Sequence, residues 1–280
     1  MIKVKRVAAC PLCGSLALKK AFTYTQPPLG EVTFSFNKDI NYYREYWQCQ
    51  ECDHFVANCD LNLSQLYESE YASSTYKDSK GLRNNFKRII SLEPKQSDNI
   101  GRVSRIHQFA KKYFKDLSGC SLLDVGSGLG VFPYAMKQLG WDCIALDPDY
   151  RVVEHLEKYV GVKAVKADFL TAVNLGKFDL ITFNKVLEHV VDPIAMLKRS
   201  KQFLKPGGLI YIELPDAKMA TIDGKGREEF FIEHLHVFSL LSTKILAQKA
   251  GFELADIECL QEPSTKYTLR AFLILPKGEA

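Results

Sequence analysis

From residue 121 onwards, segments patterned like buried strands alternate with segments of helical periodicity. Strands are predicted within 121–125, 141–149, 162–168, 178–186 and 209–215, and helices within 131–140, 151–161 and 192–208. Alternating strands and helices predict a parallel sheet covered by helices on both faces. A further helix within 241–252 is followed by two strands, 252–260 and 267–276, with no helix between them. We therefore predict an α/β fold with a mostly parallel sheet and an antiparallel last strand.

Composition narrows the class of protein. The chain has 280 residues, 46% of them hydrophobic, and a net charge of +4, which is small for a nucleic-acid-binding protein. The N-terminus lacks the apolar segment of a signal peptide, and no apolar run reaches the ~20 residues of a membrane span. These features predict a cytoplasmic protein without membrane contact. In such a reducing compartment the eight cysteines are not expected to form disulfides.

A glycine-rich turn follows the strand at 121–125. The sequence DVGSGLG places Gly126, Gly128 and Gly130 between a strand and a helix, where the backbone can approach a ligand closely. The spacing fits the dinucleotide fingerprint poorly, and a tight turn without a ligand is an alternative. Asp147 and Asp168 end the next two strands, and these carboxylates could accept hydrogen bonds from ribose hydroxyls and from an adenine amine. Three consecutive strand ends thus predict a nucleoside site.

These motifs resemble those of the class I S-adenosylmethionine (SAM) dependent methyltransferases, which have a Rossmann-like fold. The resemblance covers about residues 100–280 and includes DVGSGLG, ALDPD, KADF, FDLITFNKVLEHVVDP and LKPGGLIYIELP. It implies that the glycine turn passes under the methionine part of SAM. It also implies the contacts of five further residues: Asp124 near the ammonium group, Asp147 on the ribose, Asp168 and Phe169 beside the adenine, and Asn184 lining the cofactor. His189, in the same motif, is expected to be structural.

Two C-x-x-C pairs lie near the N-terminus. Cys10 and Cys13 are separated by 35 residues from Cys49 and Cys52. Four thiolates can bind a tetrahedral zinc ion, so we predict a closed structural zinc site in a ribbon of β-strands. Redox-active dithiols are the alternative, and His54 could replace one cysteine. We expect a zinc-ribbon module at residues 1–62, a helical linker or lid at 63–117, and the SAM-dependent methyltransferase domain at 118–280.

The combination of modules resembles bacterial methyltransferases of sugars and natural products, including sugar C-methyltransferases with an N-terminal zinc module. Those C-methyltransferases carry an additional C-terminal domain for which 280 residues leave no room, so we expect O-methylation rather than C- or N-methylation. Ribosomal RNA guanine methyltransferases also pair a zinc module with this fold. An RNA substrate is therefore an alternative, which would need a basic surface formed by residues such as Lys3, Lys5, Arg6, Lys19 and Lys20.

The segment FFIEHLHVFS, residues 230–239, allows three interpretations. A zinc site is disfavoured because His234 and His236 are two residues apart rather than one helical turn. Either histidine could instead be a core residue, which we expect of His236, with substrate contact as a weaker possibility. The sugar enzymes have a similar E-H-x-x-x-F-S segment, and this resemblance implies that His234 is the general base and that Glu233 orients it. Tyr71 is a weaker candidate for substrate contact.

The sequence thus predicts a SAM-dependent methyltransferase acting on a small hydroxylated molecule, such as a nucleotide-linked or glycan-linked sugar or a natural product. A protein that binds SAM without catalysis, and whose ribbon docks on a partner, is a third possibility. The sequence indicates neither the methyl acceptor nor the oligomeric state.

Overall fold

The computed structural model describes residues 7–32, 42–59 and 78–278. Its N-terminal part contributes three antiparallel strands to a small sheet: β1 (Leu18–Tyr24), β2 (Arg44–Cys49) and β3 (Phe55–Cys59). The fourth strand of this ribbon sheet is β9 (His236–Val237), which comes from the C-terminal half and pairs with β3. The short β9 lies inside the EHLH stretch, so the ribbon sheet includes part of a predicted site.

The remaining elements form the larger α/β unit. In chain order they are α1 (Ser79–Ile90), α2 (Asp98–Tyr113), β4 (Ser121–Val125), α3 (Val131–Gln138), β5 (Asp142–Asp147), α4 (Tyr150–His155), β6 (Lys163–Lys166), β7 (Phe178–Asn184), α5 (Pro193–Arg199), β8 (Leu204–Pro215), α6 (Ala217–Asp223), α7 (Leu240–Ala250), β10 (Glu253–Gln261) and β11 (Tyr267–Ile274). A π-helical turn, Leu156–Val160, continues α4.

The seven-stranded sheet has the order β10-β11-β8-β7-β4-β5-β6. Strands β8, β7, β4, β5 and β6 are parallel, whereas β11 runs antiparallel to both of its neighbours. The predicted fold class, a mostly parallel Rossmann-like sheet whose last strand is antiparallel, is therefore confirmed. The carboxyl ends of β4, β5 and β7 lie side by side at one edge, which is where such sheets bind ligands.

Helices cover both faces of this sheet because successive strand residues point to opposite sides. Leu122 of β4 packs in a cluster with Ile106 of α2 and Met136 of α3. Leu123, the next residue, packs in a different cluster that also contains Leu197 of α5. That second cluster contains three of the ribbon cysteines and Leu12 as well, so the ribbon shares a core with the sheet.

Several elements were not predicted from the sequence. The helices α1 and α6 and the strand β9 are additional, and α1 and α2 both fall within the stretch predicted as a helical linker or lid. Residues 63–77 of that stretch, including Tyr71, lie outside the described residues. Within the described part of the chain, no helix combines the length and the apolar character needed to cross a bilayer.

Candidate functional site

The glycine turn between β4 and α3 adopts a backbone that requires glycine. Gly126, Gly128 and Gly130 have φ values of 68°, 50° and 73°, in the left-handed region. A Cβ atom at Gly126 would lie 2.8 Å from a methyl carbon of Val186, which follows β7. The turn therefore lies directly against the segment that leaves β7.

Asp124 is a buried carboxylate at the end of β4. It is 2% exposed, and its Oδ1 accepts hydrogen bonds from Thr182 Oγ1 at 2.7 Å and from Asn184 Nδ2 at 2.8 Å. Burial raises the pKa of Asp124 to about 6, although these two hydrogen bonds act in the opposite direction. The buried Oδ1 of Asn184 has no hydrogen-bond partner among the described residues and can accept a donor from a ligand.

Asp147, at the end of β5, holds the glycine turn from the neighbouring strand. Its Oδ2 accepts from the Gly128 amide at 3.1 Å and its Oδ1 from the Asp149 amide at 3.0 Å. Burial raises the pKa of Asp147 to about 6, while the same two amides lower it. A carboxylate oxygen can accept two hydrogen bonds, so Asp147 retains acceptor capacity for a pair of hydroxyls.

Asp168 and Phe169 follow β6 and differ from each other in exposure. The Asp168 side chain is exposed and its Oδ1 accepts from the Leu170 amide at 2.8 Å. The Phe169 ring is only 2% exposed and packs against Phe183 and Phe203, with ring centroids 5.5 and 5.6 Å away. The ring of Phe169 is thus a core ring, because apolar contacts on β7 and beside β8 bury it. At the end of β6, Asp168 is therefore the side chain that is accessible to a ligand.

We use the name cradle for the cluster of Asp124, the 126–130 turn, Asp147, Asp168 and Asn184. Two histidines face each other, one on the segment that follows β7 and one on the segment that follows α6. The rings of His189 and His234 have centroids 4.9 Å apart. His234 Nδ1 lies 2.9 Å from the carbonyl oxygen of Glu229, and His189 Nδ1 lies 2.8 Å from that of Glu233. Because a carbonyl only accepts, each Nδ1 carries the hydrogen, and each neutral ring presents Nε2 as an unprotonated acceptor.

Both imidazoles are held in the neutral form. Burial and the neighbouring His189 keep the pKa of His234 well below its ordinary value. Burial also lowers the pKa of His189 to about 4, against the opposing effect of the Glu233 carbonyl. The ring of His234 is thus oriented by a main-chain carbonyl, that of Glu229, where we expected the carboxylate of Glu233. Glu233 contributes its own main-chain carbonyl to His189.

Glu188 completes the group and was not identified from the sequence. One ligand atom each of Glu188, His189 and His234 lie within 4.8 Å of one another. Burial raises the pKa of Glu188 to about 8, and its Oε2 has no hydrogen-bond partner among the described residues. In the sequence, Glu188 and His189 were marked only by the LEH motif that follows β7. The pairing with residue 234 depends on a hydrogen bond from the Leu235 amide to the Glu188 carbonyl, at 2.7 Å.

His236 lies in the core, as its position in the ribbon sheet requires. It is 3% exposed, and its Nδ1 is 3.0 Å from Nε2 of His54, which is fully buried. The pairing agrees with the expected core position of His236, and the weaker assignment to substrate contact stays a prediction. It also gives His54 a histidine partner rather than a place among the cysteines.

The four cysteines come together at the ribbon. The Sγ atoms of Cys10 and Cys52 are 3.6 Å apart, those of Cys13 and Cys49 are 3.4 Å apart, and all four lie within 4.8 Å of one another. Metal–sulfur bonds of ~2.3 Å in a tetrahedron give sulfur–sulfur distances of about 3.8 Å. The donor set and its spacing therefore fit a zinc ion.

The basic surface considered for RNA is only partly described. Lys3, Lys5 and Arg6 lie outside the described residues. Lys20 forms an ion pair with Glu45, with Nζ and Oε1 3.2 Å apart. This pairing reduces the positive charge that the ribbon presents.

A parallel sheet of this order, with a glycine turn and acidic side chains at adjacent strand ends, defines the class I SAM-dependent methyltransferase fold. A family profile described as a methyltransferase domain matches residues 95–257, more than half of the chain. The chain belongs to this methyltransferase family.

Curated relatives support the same class over part of the chain. A ubiquinone biosynthesis O-methyltransferase of Xanthomonas oryzae pv. oryzae is 34% identical over 104 residues, 35% of this chain and 44% of that protein. The protein of the same name from Actinobacillus pleuropneumoniae is 29% identical over 163 residues, 54% of this chain and 64% of that protein. The chain thus spans about half the length of these relatives.

Solved structures show the same fold at low sequence identity. Magnesium protoporphyrin IX methyltransferase from Synechocystis PCC 6803, with bound S-adenosylhomocysteine (SAH), has a TM-score of 0.56 and 14% identity, over 72% of this chain and 97% of that one. An N-methyltransferase from Bradyrhizobium japonicum WM9 in complex with SAH has a TM-score of 0.50 and 14% identity, over 70% and 99% of the two chains. At this identity the likeness concerns the fold.

Proposed function

We propose that the protein transfers the methyl group of SAM to a hydroxyl oxygen of a small molecule. One observation carries the proposal: the segment after β7 connects the cradle to His234. Val186 abuts Gly126 of the glycine turn, and two residues later the Glu188 carbonyl accepts the amide of Leu235. An imidazole acceptor is thereby held next to the place where the sheet would bind SAM.

The residues of the cradle fit the chemical groups of SAM. Asp124, buried and without an ion pair among the described residues, offers a negative charge to an ammonium group, and Asn184 Oδ1 offers an acceptor beside it. Asp147 accepts ribose hydroxyls, and Asp168 an adenine amine. When bound, SAM supplies an electrophilic methyl group on a positively charged sulfur.

The transfer itself needs positioning and one proton acceptor. The bond between carbon and sulfur breaks as the bond between the hydroxyl oxygen and the methyl carbon forms, so in-line alignment provides much of the rate. The hydroxyl proton passes to Nε2 of His234, which is unprotonated because Nδ1 donates to the Glu229 carbonyl. Burial keeps this imidazole neutral over the physiological pH range, although the same burial lowers its basicity.

We assign the four cysteines to a structural zinc ion. Their sulfur atoms leave no open coordination position for a substrate, so the ion would stabilise the ribbon rather than react. The ion would tie the loop of Cys10 and Cys13 to that of Cys49 and Cys52.

The acceptor belongs to the class of small hydroxylated molecules. The names of the curated relatives, ubiquinone biosynthesis O-methyltransferases, favour a ubiquinone precursor over the sugar suggested by the sequence resemblance. The proposed chemistry is the same for both, because each loses a proton as its oxygen is methylated. The cytoplasmic location stays a prediction.

The test is methyl uptake from labelled SAM with a panel containing catechols, dihydroxybenzoates, nucleotide-linked sugars and ribosomal RNA. We expect methyl ether formation and stoichiometric SAH release with a phenol or a sugar. Methylation of RNA alone would overturn the small-molecule proposal. Binding of SAM without SAH release in the presence of any acceptor would leave only a SAM-binding protein.

The role of His234 is tested with His234→Gln on the acceptor found in that panel. We expect turnover to fall 10²- to 10⁴-fold, the usual contribution of a general base, with SAH affinity within about twofold of the wild type. His107→Gln is the matched control, because His107 lies on α2 beside Leu117 and Gly140, at the opposite edge of the sheet. Wild-type turnover in His234→Gln would contradict the assignment of His234 as the general base. Loss of turnover on removing a divalent ion held by the Glu188, His189 and His234 group would also contradict this role.

A further inference from the structure

We propose that Tyr46, on the inner strand β2 of the ribbon sheet, is a positioning residue for His234. The proposal rests on the function proposed for His234. It assigns the ribbon a part in catalysis: its strands fix the main chain from which the imidazole extends.

The hydroxyl of Tyr46 contacts two main-chain carbonyls of the histidine segment, residues 231–237. Tyr46 is fully buried, and its hydroxyl oxygen lies 2.5 Å from the His234 carbonyl oxygen and 3.1 Å from that of Phe231. The phenol has one hydrogen to donate, which these two acceptors share. Because the His234 carbonyl is joined directly to the Cα atom that carries the ring, holding this oxygen holds the base of the side chain.

Other ribbon groups hold the same segment on either side of His234. The Ile232 amide donates to the Glu31 carboxylate at 2.8 Å, and the Ala57 amide of β3 donates to the Leu235 carbonyl at 2.9 Å. Beyond Leu235 the segment becomes β9, which pairs with β3. The ribbon therefore contacts the main chain both before and after His234, and Tyr46 contacts it at the residue itself.

The next turn of the chain is tied to a cysteine loop of the ribbon. The Ser239 hydroxyl donates to the Cys52 carbonyl oxygen at 2.6 Å. A bound metal at the four cysteines would therefore fix the chain just after the histidine segment through Cys52, while Tyr46 fixes the middle of the segment.

The larger α/β unit contacts the ring of His234, whereas the ribbon contacts its main-chain carbonyl. The ring of His234 is held by Glu229 and faced by His189, and both of these residues belong to the larger unit. The ribbon thus fixes the main-chain carbonyl of His234, and the larger unit fixes its ring. Together these contacts set the distance of Nε2 from the cradle. A displacement of ~1 Å can lower a rate by ~100-fold, so this distance controls turnover.

The variant Tyr46→Phe removes the hydroxyl and keeps the ring. The ring packs edge-on against Phe230 and Tyr24, at centroid distances of 5.3 and 6.3 Å, and phenylalanine can make the same contacts. Tyr24→Phe is the matched control. Tyr24 is buried in the same aromatic cluster, but its hydroxyl donates to the Lys225 carbonyl, at 2.8 Å, outside the histidine segment.

The experiment compares the two variants as full-length, zinc-loaded protein. Hydrogen exchange is measured at the amides of His234 and Leu235, and the ¹⁵N shifts of the His234 ring are recorded by NMR. Turnover and KM are then measured with the acceptor found in the methylation panel. In Tyr46→Phe we expect exchange to quicken and kcat to fall, each at least about tenfold, with KM for SAM within about twofold. Tyr24→Phe should leave all of these at wild-type values.

Rescue separates positioning from general stability. The variant with 4-aminophenylalanine at position 46 restores a donor and should return exchange and kcat toward wild type. Equal behaviour of Tyr46→Phe and Tyr24→Phe in exchange, ring shifts and kcat would overturn the proposal, because both variants lose one buried hydroxyl.

Failure of the proposed function has a different signature. If His234→Gln keeps wild-type turnover, His234 is not the general base, and Tyr46 then has no positioning role in catalysis. If His234→Gln is inactive while Tyr46→Phe turns over normally, only the positioning role is wrong.

Discussion

At the scale of single residues, the cradle contains two carboxylates that change charge in an accessible pH range. Burial raises the pKa of Asp124 and that of Asp147 to about 6 each. Both must be ionised in the proposed complex, one beside an ammonium group and one accepting ribose hydroxyls. As the pH falls through about 6 the free protein takes up these protons, and the ligand must displace them in order to bind.

We therefore predict that SAH affinity falls with pH. Between pH 7 and pH 5 the Kd should rise by up to about tenfold for each carboxylate, since one proton is displaced per group. Calorimetric titration over this range measures the dependence. Asp147→Asn should bind more weakly at pH 7 and show a shallower pH dependence. Asp142→Asn, at the exposed start of β5, should behave as wild type, and a Kd independent of pH would contradict the assignment.

The same residues show how far the sequence could predict the site. Asp147 and Asp168 were predictable because a parallel sheet brings consecutive strand ends to one side, whereas Asp124 followed only from the family resemblance. The buried ring of Phe169 and the hydrogen bond from His234 to Glu229 were not, because both depend on tertiary packing.

At the scale of elements, the glycine turn is the part of the site with the least steric tolerance. Gly126 combines φ of 68° with a neighbouring methyl carbon 2.8 Å from the position of an added Cβ. A side chain there must shift Val186, and with it the segment that leads to His189 and His234.

We predict that Gly126→Ala weakens SAH binding at least about tenfold, because the turn cannot keep its place against the end of β7. Gly140→Ala is the matched control: its φ is 89°, but nothing lies within 4 Å of an added Cβ. Both variants carry the cost of a left-handed alanine, roughly 1 kcal/mol of stability, and Gly126→Ala carries in addition the cost of displacing Val186. Equal SAH affinity in the two would show that the turn is not part of the site.

Element type and order were largely predictable, whereas β9 was not. Strands of four to eight residues have a recognisable periodicity, but His236 and Val237 are only two residues. Their strand exists because β3 offers a free edge, and that edge belongs to a segment about 180 residues earlier in the chain.

At the scale of the whole molecule, the two sheets are joined at the proposed catalytic residue. The larger sheet provides the cradle, and the segment between α6 and β9 provides the carbonyls that orient the histidine rings. The ribbon provides the strand beside β9, the Tyr46 hydroxyl and a cysteine loop bound to Ser239. Leu12 of the ribbon is fully buried in the cluster that contains Leu246 of α7, so the junction is also part of the core. The ribbon is therefore a structural part of the site.

The central claim is that the ends of β4, β5 and β7 bind a sulfonium nucleoside, and calorimetry with SAH on folded, zinc-loaded protein tests it most directly. The account predicts saturable heat with one SAH bound per chain at pH 7 and weaker binding in Asp147→Asn. Absence of binding heat at several temperatures, in folded protein supplied with zinc, would contradict it.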